Sequence, residues 1–174
     1  MTLNKSKLVE FLKTLDEKTT KRITLIAAGG TAMTLLDIKK STRDIDLTAP
    51  TEDYHEFRRI LDRTPHGFEI HLWPDGTVFS QFLPDDYVNK SVAITKLKHI
   101  TLKALNPVDI VVTKIGRLDP RDLEDIEDCI TKKGLSKNQI KERAEKIQYV
   151  GKEETYKTNL KYVLEKFFAN STHE

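Results

Sequence analysis

The residues best suited to chemistry fall in one stretch, AGGTAMTLLDIKKSTRDIDL, residues 28–47. Asp44 and Asp46 are separated by a single apolar residue. On a strand both carboxylates would therefore project from one face, while Ile45 and Leu47 turn into the core. Two carboxylates held this way repel unless a cation sits between them, and their hard oxygens suit Mg²⁺ or Mn²⁺, ions that also bind phosphate oxygens. Upstream, Gly29 and Gly30 lie between a β-branched run, residues 22–28, and a helix-like run, residues 31–39. Without a Cβ the backbone can adopt conformations closed to other residues. Its N–H groups, with Thr31 beside them and a helix start behind, can then face an anion closely. A glycine pair also makes an ordinary tight turn, and an acid-x-acid triplet arises easily in a chain with 27 acidic residues. Order and spacing together are what point to a phosphate site followed by a metal site.

This arrangement resembles the nucleotidyltransferase superfamily that includes DNA polymerase beta, whose signature is Gly-Gly or Gly-Ser, a gap, and then Asp-x-Asp. More narrowly, the chain is similar to small stand-alone prokaryotic members, including the AbiEii-like and MenT-like toxin nucleotidyltransferases. Those toxins show a basic residue, then Ser or Thr, then Asp-x-Asp. Lys40, Thr42, Asp44 and Asp46 match, with Lys in place of the usual Arg. They also carry a Lys and an Arg on one helix, followed by an Arg-Asp-x-x-Asp helix, which Lys114, Arg117, Arg121, Asp122 and Asp125 match.

The resemblance implies transfer of a nucleoside monophosphate from an NTP to a hydroxyl. Asp44 and Asp46 would hold the metal, Gly29, Gly30 and Thr31 the β- and γ-phosphates, and Lys114 and Arg117 the charge growing on pyrophosphate, with Lys40 and Thr42 adjoining the nucleotide. It also implies a third carboxylate on a neighbouring strand in an apolar-acid-apolar setting. Glu69, between Phe68 and Ile70, fits as second-metal ligand and general base. His71, on the same face, holds the place where an acid would fall if that strand were shifted by two residues. The implied acceptor is RNA such as tRNA, a protein or a small molecule, and an antitoxin protein is an implied partner. A fold of this kind whose third acid fails to align would instead be a catalytically degenerate module for nucleotide binding or protein interaction.

The elements that must position these groups are legible as patterns. Residues 5–15 carry Leu8, Phe11, Leu12 and Leu15 at helical spacing, and residues 51–61 carry Tyr54, Phe57, Ile60 and Leu61, with Thr51 as the expected cap. FEIHLW, residues 68–73, alternates as a strand, and TVFSQFL after the PDG turn is its expected hairpin partner. Residues 91–94 and 99–104 read as two short strands. Asn106-Pro107-x-Asp109 opens a helix despite the β-branched IVVTKI that follows, placing Lys114 and Arg117 three apart on one face. As a long cation on a helix face, Lys114 should contribute little to the core. Asp119-Pro120 opens the next helix, ending at Gly134, on which Asp122 and Asp125 would orient Lys114 or Arg117. Ser136 and Gln139 form a capping box for a helix running to about Val150, and residues 153–168 form the last.

The expected fold is α/β (α+β): a mixed nucleotidyltransferase-type sheet flanked by helices. Residues 1–105 would be the catalytic domain with its N-terminal helix, and residues 106–174 a helical C-terminal part. Hydrophobic content of 38% and charged content of 32% describe a soluble chain, and the lack of a membrane-length apolar run or secretory leader suggests the cytoplasm. The single cysteine, Cys129, excludes an internal disulfide and a Cys-based zinc site and reads as a packed thiol. Net charge is +2, with +4 on residues 131–174 and −2 before them, so a basic helical surface adjoins a slightly acidic domain.

Overall fold

The computed structural model describes residues 1–170 of the chain. A five-stranded mixed sheet forms its centre, built from β1 (Ile23–Ala27), β2 (Ile45–Ala49), β3 (Ile70–Pro74), β6 (Val92–Lys96) and β7 (Ile100–Ala104) in the order β3-β2-β1-β7-β6. The β1–β7 and β2–β3 pairs are parallel, whereas β1–β2 and β6–β7 are antiparallel. Helices α1 (Lys5–Asp16), α2 (Gly29–Leu35) and α3 (Thr51–Leu61) belong to this layer, followed by a short α4 (Tyr87–Lys90). Then come α5 (Pro107–Lys114), α6 (Pro120–Lys133), α7 (Lys137–Ala144) and α8 (Glu153–Phe168). The mixed sheet with flanking helices and a helical C-terminal region is the architecture expected.

Local chemistry explains why these elements form where they do. The Asn106 side chain accepts from the Asp109 N–H and Pro107 follows it, so α5 forms in spite of its β-branched residues, most of which are buried. Asp119 with Asp122, and Ser136 with Gln139, close reciprocal capping boxes, and Gly134 ends α6 with φ +64°. Asp16, at the end of α1, accepts from the N–H groups of His99 (2.8 Å) and Ile100 (2.7 Å), tying that helix to the start of β7. No helix among the described residues is long and apolar enough to cross a membrane.

Four expectations are corrected. TVFSQFL does form a hairpin, β4 (Thr77–Val78) with β5 (Gln81–Phe82), but its strands pair with each other rather than with β3. The helix from Ser136 ends at Ala144, because the IQYV run that follows is β-branched and aromatic; β8 (Gln148–Tyr149) pairs with β5 instead. The helix after the glycines is shorter than residues 31–39, spanning Gly29–Leu35. Pro50, without a side-chain bond, stands at the cap of α3 where Thr51 was expected, so Thr51 is its first residue.

Candidate active site

Antiparallel pairing of β1 with β2 sets the end of one strand against the start of the other, which brings the glycine pair to the Asp-x-Asp segment. Ala27 lies opposite Leu47, and the Ala28 N–H bonds the Asp46 carbonyl at 2.9 Å. Gly29 has φ +51°, and a Cβ built on it would stand 2.7 Å from Asp46 Oδ2 and 2.9 Å from the Phe79 ring. A Cβ on Gly30 would stand 2.9 Å from Thr42 Oγ1. The two glycines therefore make room for functional side chains as well as for a close ligand. Thr31 is committed to the strand: its hydroxyl donates to the Asp44 carbonyl (3.1 Å) and accepts from the Asp46 N–H (2.9 Å). Thr42 donates to the same carbonyl at 3.1 Å, so both hydroxyls hold the backbone between the two aspartates.

The parallel register of β2 and β3 decides what stands beside the aspartates. Asp46 lies level with His71, and Ile45 with Ile70. His71 Nδ1 is 2.9 Å from Asp46 Oδ1, and its Nε2 is 3.1 Å from Glu69 Oε1. A neutral imidazole has only one N–H, so a carboxylate at each nitrogen favours the doubly protonated ring. Burial works against that charge, but Asp46 and Glu69 outweigh it and hold the His71 pKa above its ordinary value. Asp46 is 7% exposed, and burial raises its carboxyl pKa in spite of His71 and Lys114 nearby. Glu69 is largely exposed and reaches Asp46 only through the imidazole. The two alternatives for the third position thus occupy different places: His71 beside Asp46, Glu69 one step outside.

Across the cleft, Phe79 and the start of α6 complete the site. Phe79 (φ +50°) and Ser80 (φ +74°) form the two-residue turn of the β4–β5 hairpin in a left-handed conformation usually left to Asn and Gly. That turn sets the Phe79 ring against Gly29, edge-on to Trp73 (5.1 Å) and under the Arg117 guanidinium (4.5 Å). Lys114 is 3% exposed, and its ammonium bonds Asp122 (3.2 Å) and Asp125 (2.9 Å), which corrects the expectation that it contributes little to the core. Arg117 makes two bonds to Asp122, from Nε (2.7 Å) and Nη2 (2.8 Å), and Lys39 reaches Asp125 at 2.7 Å. Asp122 thus holds both cations, and Asp125 holds Lys114 with it. Cys129 is buried behind them, and burial pushes its thiol up to about 12, so it stays protonated and packed at neutral pH.

These walls enclose an open cleft of about 630 Å³, lined by Gly30, Thr42, Asp44, Asp46, Lys114 and Arg117 among others. Lys40 is exposed and faces the adjoining hollow instead. Arg121 of the Arg-Asp-x-x-Asp match also lines the cleft, as do Lys39 and Arg43, whose place was not read from the sequence. The basic run KKSTR offered a signal for Arg43, but no spacing rule separates it from Lys40.

Among the described residues no three His, Cys, Asp or Glu are grouped to hold a metal by themselves. The donors present nonetheless fit a hard divalent cation of the kind that keeps waters and takes phosphate oxygens. Asp46 Oδ1 is bonded to His71, whereas Oδ2 occupies the space that the missing Gly29 Cβ leaves; Asp44, in the bend just before β2 rather than on the strand as expected, lines the same cleft. Asp44 and Asp46 would hold such an ion.

The crystal structure of ANT(2")-Ia in complex with adenylyl-2"-tobramycin is similar in fold, with a TM-score of 0.54 and 15% sequence identity over 81% of this chain and 94% of that one. Among curated proteins no significant match is found. The family model described as "Nucleotidyltransferase of unknown function (DUF6036)" matches residues 6–171, nearly the whole length, and the chain belongs to that family.

Proposed function

We propose that the protein transfers a nucleoside monophosphate from an NTP to a hydroxyl acceptor, with Mg²⁺ or Mn²⁺ as cofactor. One observation carries this reading: Asp44 and Asp46 line the same cleft as Arg117 and Lys114, so carboxylates for a cation and cations for phosphates share one space. The metal, when bound, would screen the triphosphate from the two carboxylates and draw charge from the reacting phosphorus. The acceptor oxygen attacks the α-phosphorus in line; the new O–P bond forms as the bond to pyrophosphate breaks. Gly29 and Gly30 leave the backbone open to the β- and γ-phosphates, while Thr31 and Thr42 hold the aspartates in place. Arg117, its guanidinium already fixed by Asp122, offsets charge on the departing pyrophosphate. Lys114 contributes from beneath it, and Lys40 guides charge at the rim. The acceptor's proton passes to Glu69, an exposed carboxylate bonded to His71 at the edge of the site. His71 stands between Glu69 and Asp46, so the metal would rest on Asp44 and Asp46 rather than on Glu69 directly.

The toxin-like pattern favours tRNA or protein as acceptor, in the cytoplasm and under control of an antitoxin protein. The adenylyl-2"-tobramycin in the ANT(2")-Ia structure supports weighing a small molecule as well. The test is incubation with each labelled NTP, Mg²⁺, and tRNA, lysate protein or aminoglycoside in turn. Label should pass to one acceptor class and be lost with Asp44→Asn. A second reading is favoured by His71 standing level with Asp46: a degenerate module that binds nucleotide without transferring it. NTP binding with no label transfer to any acceptor would select it.

A further inference from the structure

A second hollow, of about 460 Å³, shares Phe79 and Arg117 with the cleft and is lined by Gly116, Tyr149, Lys152 and Gln81 among others. Gln81 is 5% exposed, and its amide oxygen is the one buried side-chain oxygen or nitrogen without a hydrogen-bond partner among the described residues. Folded proteins pair nearly all such groups, so an orphan acceptor at the wall of a hollow calls for a donor from outside the chain. The orphan is held there by design of the backbone. Gln81 and Tyr149 are cross-strand neighbours on β5 and β8 and so share a face of the small sheet. A Cβ on Gly116 would run into the Gln81 amide.

We propose that this hollow takes the nucleobase of the nucleotide whose phosphates lie in the cleft, with Gln81 pairing to the base edge and Tyr149 offering a ring to stack on. The inference rests on the nucleotide reading of the cleft. A carboxamide presents an acceptor beside a donor, the complement of the donor-acceptor edge that every nucleobase carries. Aromatic faces bind bases by stacking, and Tyr149 supplies one. A free phosphate would meet the Gln81 oxygen unfavourably, and a cationic sugar would meet Arg117 and Lys152. Because Arg117 borders both spaces, a base in one leaves its phosphates at the other.

The test is calorimetric titration, with Mg²⁺ present, of ATP, GTP, CTP, UTP and inorganic tripolyphosphate into the full chain and into Gln81→Leu and Tyr149→Ala. At least one NTP should bind the wild type more tightly than tripolyphosphate. Gln81→Leu should weaken that NTP by about fivefold to tenfold, the scale of one neutral hydrogen bond, and leave tripolyphosphate unchanged. Tyr149→Ala should weaken the same NTP and carries the test if Gln81→Leu fails to fold. Unchanged NTP affinity in both variants, with tripolyphosphate still bound, places the base elsewhere and leaves the cleft reading intact. Equal loss of NTP and tripolyphosphate in folded variants also overturns the proposal, since it means that Arg117 has moved. If neither NTP nor tripolyphosphate binds the wild type, the cleft reading fails and the base pocket with it.

Discussion

Two buried aspartates face one cleft and differ in opposite directions. Burial raises the pKa of both, yet Asp122 ends below its ordinary value because Arg117 and Lys114 outweigh the burial, while Asp46 ends above it with His71 as its one close partner. Around Asp122 and Asp125 the charges are matched: Lys39, Lys114 and Arg117 all bond to that pair. Around Asp46 and Asp44 they are not matched. The α6 wall is thus a finished ionic network that fixes cations in place, and the β2 wall is short of positive charge. A divalent cation arriving with its phosphates supplies what the β2 wall lacks.

The largest effect should come from the unmatched wall. Asp46→Asn is expected to lower label transfer by at least about a thousandfold, on the scale of losing a group that acts on transition-state charge, with unfolding free energy changed by less than about 1 kcal/mol. Urea denaturation beside the transfer assay separates the two. Turnover near wild type in the Asp44→Asn/Asp46→Asn double variant would remove both residues from the chemistry.

On the matched wall the order reverses. Lys114→Ala leaves Asp122 and Asp125 buried with one cation fewer, and removing one member of a buried ionic network costs about 3 kcal/mol. The urea midpoint should fall accordingly, before any loss of nucleotide affinity in the surviving folded fraction. A midpoint unchanged from wild type would show that Lys39 and Arg117 alone satisfy the pair.

Glu69→Gln probes the edge of the unmatched wall. As the acceptor of the hydroxyl proton, Glu69 should cost about a hundredfold in the chemical step when lost, with NTP affinity retained. A silent Glu69→Gln combined with an inactive His71→Ala would shift the third position to the imidazole.

The contrast also explains what the sequence revealed. Caps are local, so Asn106-Pro107, Asp119-Pro120, and Ser136 with Gln139 could all be read from neighbours within four residues. The level of His71 with Asp46 depends on a parallel register set across the intervening α3, which no local signal encodes. The burial of Lys114 depends on α6 lying against α5, and the place of Phe79 on a left-handed turn that its own residue types disfavour. Likewise β8 exists because β5 offers it an edge. The face of each element was legible; which faces meet was not.

The smallest effect tests whether cations are needed at all to settle a buried carboxylate. Asp16 has none bonded to it; burial raises its pKa, but the N–H groups of Ile100 and His99 outweigh that and hold it below 3.8. A carboxyl depressed in the folded state stabilises the protein above its unfolded pKa and loses that contribution as pH falls through the folded value. Asp16→Asn keeps an oxygen for the same two donors but removes the charge, so it should cost about 1 kcal/mol near pH 7. The gap between wild type and variant, read from urea midpoints, should stay constant down to the unfolded pKa and close below it. A gap that persists or widens toward about pH 2 would mean that Asp16 acts through shape alone.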